Sequence, residues 1–125
     1  MKDKLKVLIV EDEALVAMGL KKYLDKLGVD ALNPVANGED AIKVALHENP
    51  SLILMDIRLA GGLDGIEAAE EILKKKKIAI VFMTGYATEY IQERAQKVNP
   101  IDFLEKPVNL DKIKQIIDRE SGVFK

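Results

Sequence analysis

Short apolar runs alternate along the chain with longer stretches in which apolar residues recur every three or four positions. Residues 5–10 (LKVLIV) form a compact run rich in β-branched residues and bounded by charge, the pattern of a strand buried on both faces of a parallel sheet. From residue 14 to 27 the period changes: Val16, Leu20, Tyr23, Leu24 and Leu27 recur at helical spacing, and Gly28 stands where a helix C-cap belongs. Residues 31–36 predict a weak second strand. It leads through Asn37-Gly38 to a helix that reaches Leu46 and stops at Asn49-Pro50, because the residue before a proline is steered away from helical geometry. Residues 52–55 (LILM) predict a third strand that ends on Asp56, Gly61-Gly62 mark a loop, and residues 65–75 read as a third helix. Residues 78–83 (IAIVFM) predict the fourth strand. Residues 88–98 predict the fourth helix, with Ile91, Ala95 and Val98 on one side, and Asn99-Pro100 breaks it before a short strand at 101–104. A closing helix spans 109 to about 120, with Leu110, Ile113, Ile116 and Ile117 inward.

Five strand–helix units without a linker or low-complexity segment predict an α/β fold, a doubly wound parallel sheet with helices on both faces, built as one domain over residues 1–125. Composition narrows what that fold does. The 125 residues suffice for a core without staples, and the absence of cysteine excludes disulfides, thiolate metal sites and a cysteine nucleophile. His47 is the only histidine, so neither a histidine metal cluster nor a histidine-based triad is available. It reads as a surface residue. A net charge of -2 with interspersed signs lacks the basic face that nucleic acid requires. No apolar stretch is long enough to span a membrane, and the opening MKDKLKVLIVEDE lacks the features of a secretory signal, so a cytoplasmic location is expected.

In doubly wound sheets ligands bind beyond the carboxyl ends of the strands. Here the first strand is followed by Glu11, Asp12 and Glu13, the third by Asp56, the fourth by Thr84 and Gly85, and the fifth by Lys106 and Pro107. Glu11, Asp12 and Asp56 packed together would repel one another unless something positive lay between them. A hard divalent cation, Mg²⁺ or Mn²⁺, meets that need with oxygen ligands, and Lys106 can pair with the remaining charge. Such a site has the parts for phosphoryl transfer, in which a protein mainly positions groups and neutralises charge. Asp56, fixed at the end of a wholly apolar strand, is the candidate nucleophile. Asp12, with Glu11 acting through water, would hold the metal; Lys106 and Thr84 would each bind a phosphoryl oxygen.

The set IVEDE, LILMDIRL, VFMTGY and FLEKP, in that order and at those strand ends, resembles the receiver domain of bacterial and archaeal response regulators over nearly the whole chain. The resemblance implies a flavodoxin-like five-stranded sheet of order 2-1-3-4-5 with five helices. It implies that Glu11, Asp12 and Asp56 form the acidic pocket, that the backbone carbonyl of Arg58 is a further metal ligand, and that Asp56 is the phosphorylation site. Thr84 and Lys106 would contact the phosphoryl group, the bond before Pro107 would be cis, and Phe103 would be the aromatic switch that follows Thr84. A histidine kinase or phosphotransfer protein would dock near Ala14, Leu15 and Met18, and a downstream protein on the face of helices 88–98 and 109–120. A phosphorylation-linked dimer is a further possibility. The connection 58–63 lacks the family's usual proline and carries one extra residue, and Arg58 and Tyr86 stand where side chains gate the water that attacks the phosphoryl group.

Simpler readings stand beside these. Asp12 and Glu13 suit a helix start, Thr84 favours a strand, and the run 74–77 suits the negative end of a helix dipole. Tyr86 and Tyr90 fit either packing or a partner surface. A Mg²⁺-dependent phosphohydrolase would often carry a second aspartate two residues after the nucleophile, where this chain has Arg58. A flavodoxin-like cofactor carrier requires a neutral phosphate-cradling loop after the first strand, where this chain has three acids. Self-phosphorylation without enzymatic turnover is the expectation, and a pseudo-receiver that acts by binding alone is the alternative. A stand-alone regulator and a receiver excised from a larger regulator or hybrid kinase read alike.

Overall fold

The structure, a computed structural model, describes residues 4–122; residues 1–3 of the opening segment and 123–125 of the closing GVFK lie outside the described residues. Strands and helices alternate: β1 Lys6–Val10, α1 Ala14–Lys26, β2 Asp30–Ala31, α2 Gly38–Glu48, β3 Leu52–Asp56, α3 Gly65–Leu73, β4 Ala79–Thr84, α4 Glu89–Gln96, β5 Asp102–Glu105 and α5 Leu110–Glu120. The five strands are all parallel, in the order β2-β1-β3-β4-β5.

Side chains alternate across a strand, so each apolar strand feeds two cores. Leu8, Val10, Ile53, Met55, Ile80 and Phe82 pack against α2, α3 and α4. Val7, Ile9, Leu52, Leu54, Val81 and Met83 pack against Leu20 and Leu24 of α1 and Ile113, Ile116 and Ile117 of α5. Leu110, read as inward-facing, is instead 43% exposed, and Val16 of the α1 apolar series is 37% exposed. Both border a groove of about 650 Å³ between the first turns of α1 and α5. His47 is on the surface, as expected.

The second strand departs from the sequence expectation of 31–36. Asp30 N and Leu32 N donate to Leu5 O and Val7 O, but the next ladder bond, to Ile9 O, comes from Val35 N at 3.0 Å. Three residues therefore span a step that two spanned before, and Asn33-Pro34 bulges out because proline has no amide to donate. Elsewhere the ends shift by one or two residues. Thr88 and Asn109 lie outside their helices as N-caps, accepting from Ile91 N and Asp111 N. Asn49 and Asn99, each before a proline, take left-handed φ of 53° and 52° just beyond the ends of α2 and α4. Helix α3 ends at Leu73 rather than Lys75.

Candidate functional site

Sheet register sets the site. Val10 is level with Met55, so Glu11 follows β1 at the level of Asp56; Asp56 pairs with Met83, and Thr84 with Glu105. Glu11, Asp56, Thr84 and Lys106 thereby converge on one edge, and the Lys106 amide donates to Thr84 O at 2.8 Å. Glu11, Asp56 and Thr84 are buried, while Asp12 is exposed. One carboxylate oxygen from each of Glu11, Asp12 and Asp56 lies within 4.8 Å of the others. The helix-start reading of Asp12 does not hold: the cap of α1 is Glu13, which makes no side-chain capping bond. The Glu13 amide instead donates to Glu11 Oε2 at 3.0 Å.

Lys106 Nζ stands between the two buried acids, 2.5 Å from Glu11 Oε1 and 2.9 Å from Asp56 Oδ2. The contact to Asp56 is a hydrogen bond. The contact to Glu11 is a close ion pair to the same ammonium, so one lysine serves both buried carboxylates. Burial pushes the Asp56 carboxyl up to about 6; Lys106 opposes the shift, and the neighbouring Glu11 charge adds to it. Glu11 is also pushed up by burial, but Lys106 and the Glu13 amide outweigh this and hold it below the usual range. For Lys106, burial opposes the charge, and the two carboxylates more than offset it, so its pKa is raised. The pair therefore holds its proton on Asp56 as pH falls. One ammonium faces three carboxylates, which leaves net negative charge on a cluster of oxygen donors; a hard cation fits this donor set.

Around this cluster, Asp12, Glu13, Asp56, Arg58, Gly85, Tyr86 and Lys106 line a cleft of about 330 Å³. Arg58 N donates to Asp56 Oδ1 at 3.3 Å, which puts the Arg58 backbone beside the acid. The Arg58 guanidinium lies over the Tyr86 ring, 4.9 Å from its centroid. Thr84 Oγ1 accepts from Tyr86 N at 3.1 Å. Phe103 is level with Phe82 on β4 and half-buried against the α2–α4 core. The Lys106–Pro107 bond is cis. Tyr86 and Tyr90, at 61% and 67% exposed, are surface residues rather than packing residues.

Two features are absent from the sequence reading. A Cβ on Gly65 would lie 2.1 Å from Asp56 O, so a glycine is required where α3 begins against the β3 end. Asp64 and Arg94 form an ion pair at 2.8 Å between α3 and α4. The Asp-Gly pair at 64–65 signals a turn; nothing local signals Arg94.

Comparison with known proteins agrees with this geometry. Residues 7–118 match the response regulator receiver domain family. The transcriptional regulatory protein PdtaR of Mycobacterium tuberculosis is 33% identical over 120 residues, covering 96% of this chain and 58% of PdtaR. The phyllosphere-induced regulator PhyR of Methylorubrum extorquens is 30% identical over 90% of this chain and 42% of its own length. The chain thus spans about half the length of these relatives. The receiver domain of a modulated diguanylate cyclase from Desulfovibrio desulfuricans superposes with a TM-score of 0.88 at 38% identity, covering 96% of this chain and 95% of the other. The receiver domain of the sensor histidine kinase PA1611 from Pseudomonas aeruginosa, solved with magnesium in its active-site cleft, has a TM-score of 0.84 at 28% identity, covering 97% and 99%. With its strand order, its acidic cluster at the sheet edge and a match over residues 7–118, this chain belongs to the response regulator receiver domain family.

Proposed function

We propose that residues 1–125 form a single receiver domain that takes a phosphoryl group from a histidine kinase or phosphotransfer protein onto Asp56 and in response switches a partner-binding face. The observation that carries this reading is Lys106 Nζ held between Glu11 and Asp56, with Asp12 in the same cluster and an open cleft above. Glu11, Asp12, Asp56 and the Arg58 carbonyl would hold Mg²⁺ or Mn²⁺, which when bound supplies positive charge to the transferring oxygens. An Asp56 carboxylate oxygen forms the bond to phosphorus while the donor's phosphorus–nitrogen bond breaks and the electron pair leaves with the imidazole. Lys106, already within 2.9 Å of Asp56, binds one phosphoryl oxygen as a point charge. The Thr84 hydroxyl leaves the Tyr86 amide and donates to another. That withdrawal opens space for Phe103, and the surface formed by α4, β5 and α5 presents a different face to a downstream protein. Arg58 occupies the position where a phosphohydrolase would carry an acid/base, which favours self-modification over turnover. Among the described residues no helix is long and apolar enough to cross a membrane; we place the domain in the cytoplasm, beside its kinase.

The test is intact mass after incubation with phosphoramidate, with and without Mg²⁺, for wild type and Asp56→Asn. A Mg²⁺-dependent gain of one phosphoryl group in wild type alone is expected. No gain under any condition would leave a pseudo-receiver that acts by binding.

A further inference from the structure

Asp64 holds two helices at once. Its Oδ1 accepts the Glu67 amide at 2.8 Å and Glu67 Oε1 accepts the Asp64 amide at 2.9 Å, the reciprocal pair that caps α3. Its other oxygen accepts from Arg94 Nη1 on α4, also at 2.8 Å. The two side chains are 28% and 24% exposed, so the pair is less screened than a surface salt bridge. The Arg94 guanidinium also lies 5.9 Å from the Tyr90 ring centroid.

On its other side this junction touches the acceptor. Gly65 packs its backbone on Asp56 O, as the 2.1 Å approach of a Cβ there requires, and Gly65 N donates to Ile57 O at 2.8 Å. Direct contacts therefore run from Asp56 through Gly65 and Asp64 to Arg94. Helix α4 is held to the core by few side chains: it is eight residues long, Ala95 is its one fully buried residue, and Ile91 packs partly buried against the same core. Its leading loop is tied by Tyr86 N to Thr84 Oγ1 and by the Tyr86 ring to Arg58, while its last turn is tied by Arg94 to Asp64.

We propose that the Arg94–Asp64 pair is a latch that holds α4 in the unphosphorylated arrangement and is released when Asp56 is phosphorylated. The proposal rests on the phospho-accepting reading above. When Thr84 turns to the phosphoryl group, the Tyr86 amide loses its acceptor and the leading loop of α4 is freed; the helix can then shift only if its last turn also lets go. A contact made in one of two states biases their equilibrium by its own free energy. A half-buried pair of this kind is worth about a five-fold change in that equilibrium.

The test uses Arg94→Gln, Asp64→Asn and the double variant, because asparagine caps a helix as well as aspartate and so leaves α3 intact. Amide hydrogen exchange across residues 86–97 is followed without phosphodonor, and the rate of phosphoryl gain is followed with phosphoramidate and Mg²⁺. Each single variant is expected to speed both exchange in α4 and phosphoryl gain by about five-fold, with α3 unchanged and the double variant no faster than either single. Wild-type exchange in α4 in both singles would overturn the latch, as would multiplying effects in the double variant. Faster exchange with an unchanged phosphorylation rate would also overturn it, since the pair would then support the helix without biasing the switch. If wild type gained no phosphoryl group, the receiver reading would fail and release with it, while the exchange arm would still report the tether.

Discussion

Burial places the Asp56 carboxyl where its charge is costly, and Lys106, shared with Glu11, offsets only part of that cost. In the cation-free protein its pKa of about 6 lies above the unfolded value of 3.8, so the folded state binds more protons between those values. Its contribution to stability is therefore fully present below about pH 4 and lost as pH rises through about 6. Asp56→Asn, which cannot ionise, should stabilise the cation-free fold by about 1–3 kcal/mol at pH 7 and by clearly less at pH 4.5. Urea unfolding in EDTA at the two pH values measures this, and an equal gain at both would contradict it. Arg58 and Tyr86, stacked on one another where they line the cleft, would on the phospho-accepting reading narrow the approach of water to a phosphoryl group on Asp56. Alanine at both positions should speed loss of phosphate by about ten-fold, about 1.4 kcal/mol of barrier, in a time course of intact mass. Faster loss in wild type would reverse the assignment. Glu11, Asp12, Asp56, Thr84 and Lys106 were legible because each stands at or just beyond the carboxyl end of a strand, so finding the strands found the residues. Arg94 was not. Its partner is 30 residues away on a helix of another unit, and an exposed-looking arginine carries no mark of it.

The elements were legible wherever period and punctuation agreed. Helix α2 stops at Asn49-Pro50, as the sequence signals, because asparagine tolerates the left-handed conformation and proline cannot continue the helix; α4 ends at Gln96, and Asn99-Pro100 turns the chain three residues later. The second strand was misjudged at Asn33-Pro34 because a proline inside an apolar run is compatible with either a bulged edge strand or no strand, and only pairing to β1 decides. The loop from β3 to α3, one residue longer than the resemblance implies, is accommodated by a bridge between Asn37 and Ala60 and a left-handed Gly61 at φ 100°. The junction that tolerates no change is Gly65. A methyl group there would come within 2.1 Å of Asp56 O, whereas one on Gly38 meets Leu63 Cβ at 2.9 Å and Leu63 O at 3.2 Å, a less severe approach. Gly65→Ala should cost about 1–3 kcal/mol in urea unfolding and slow phosphoryl gain from phosphoramidate, since the acceptor backbone must move; Gly38→Ala should cost less. Equal costs would mean that the β3 end yields as readily as the loop at Leu63.

At the scale of the whole molecule, the sheet divides labour between its faces. The face covered by α2, α3 and α4 holds the Asp64–Arg94 tie and Phe103, while the face covered by α1 and α5 leaves an apolar groove that begins at Glu13 and Lys106 and runs past Val16, Leu20 and Leu110. Leu15, which lines this groove, and Met18 are 84% and 56% exposed, and on the phospho-accepting reading proposed above they would lie under the phosphodonor. A helix of a phosphotransfer protein laid in this groove would bring its phosphohistidine to Asp56 past Glu13 and Lys106, which border both the groove and the cleft. A small phosphodonor reaches Asp56 without using the groove. Leu15→Glu with Met18→Glu should therefore slow transfer from a phosphotransfer protein by more than about 30-fold, the effect of losing about 2 kcal/mol at the centre of an interface, and leave the phosphoramidate rate at its wild-type value. Parallel rate measurements with the two donors separate the causes. Slowing with both donors would locate the damage in the site or the fold, and slowing with neither would place the donor on another surface. Loss with the protein donor alone would assign the α1 side of the groove to input and leave the α4–β5–α5 surface for output.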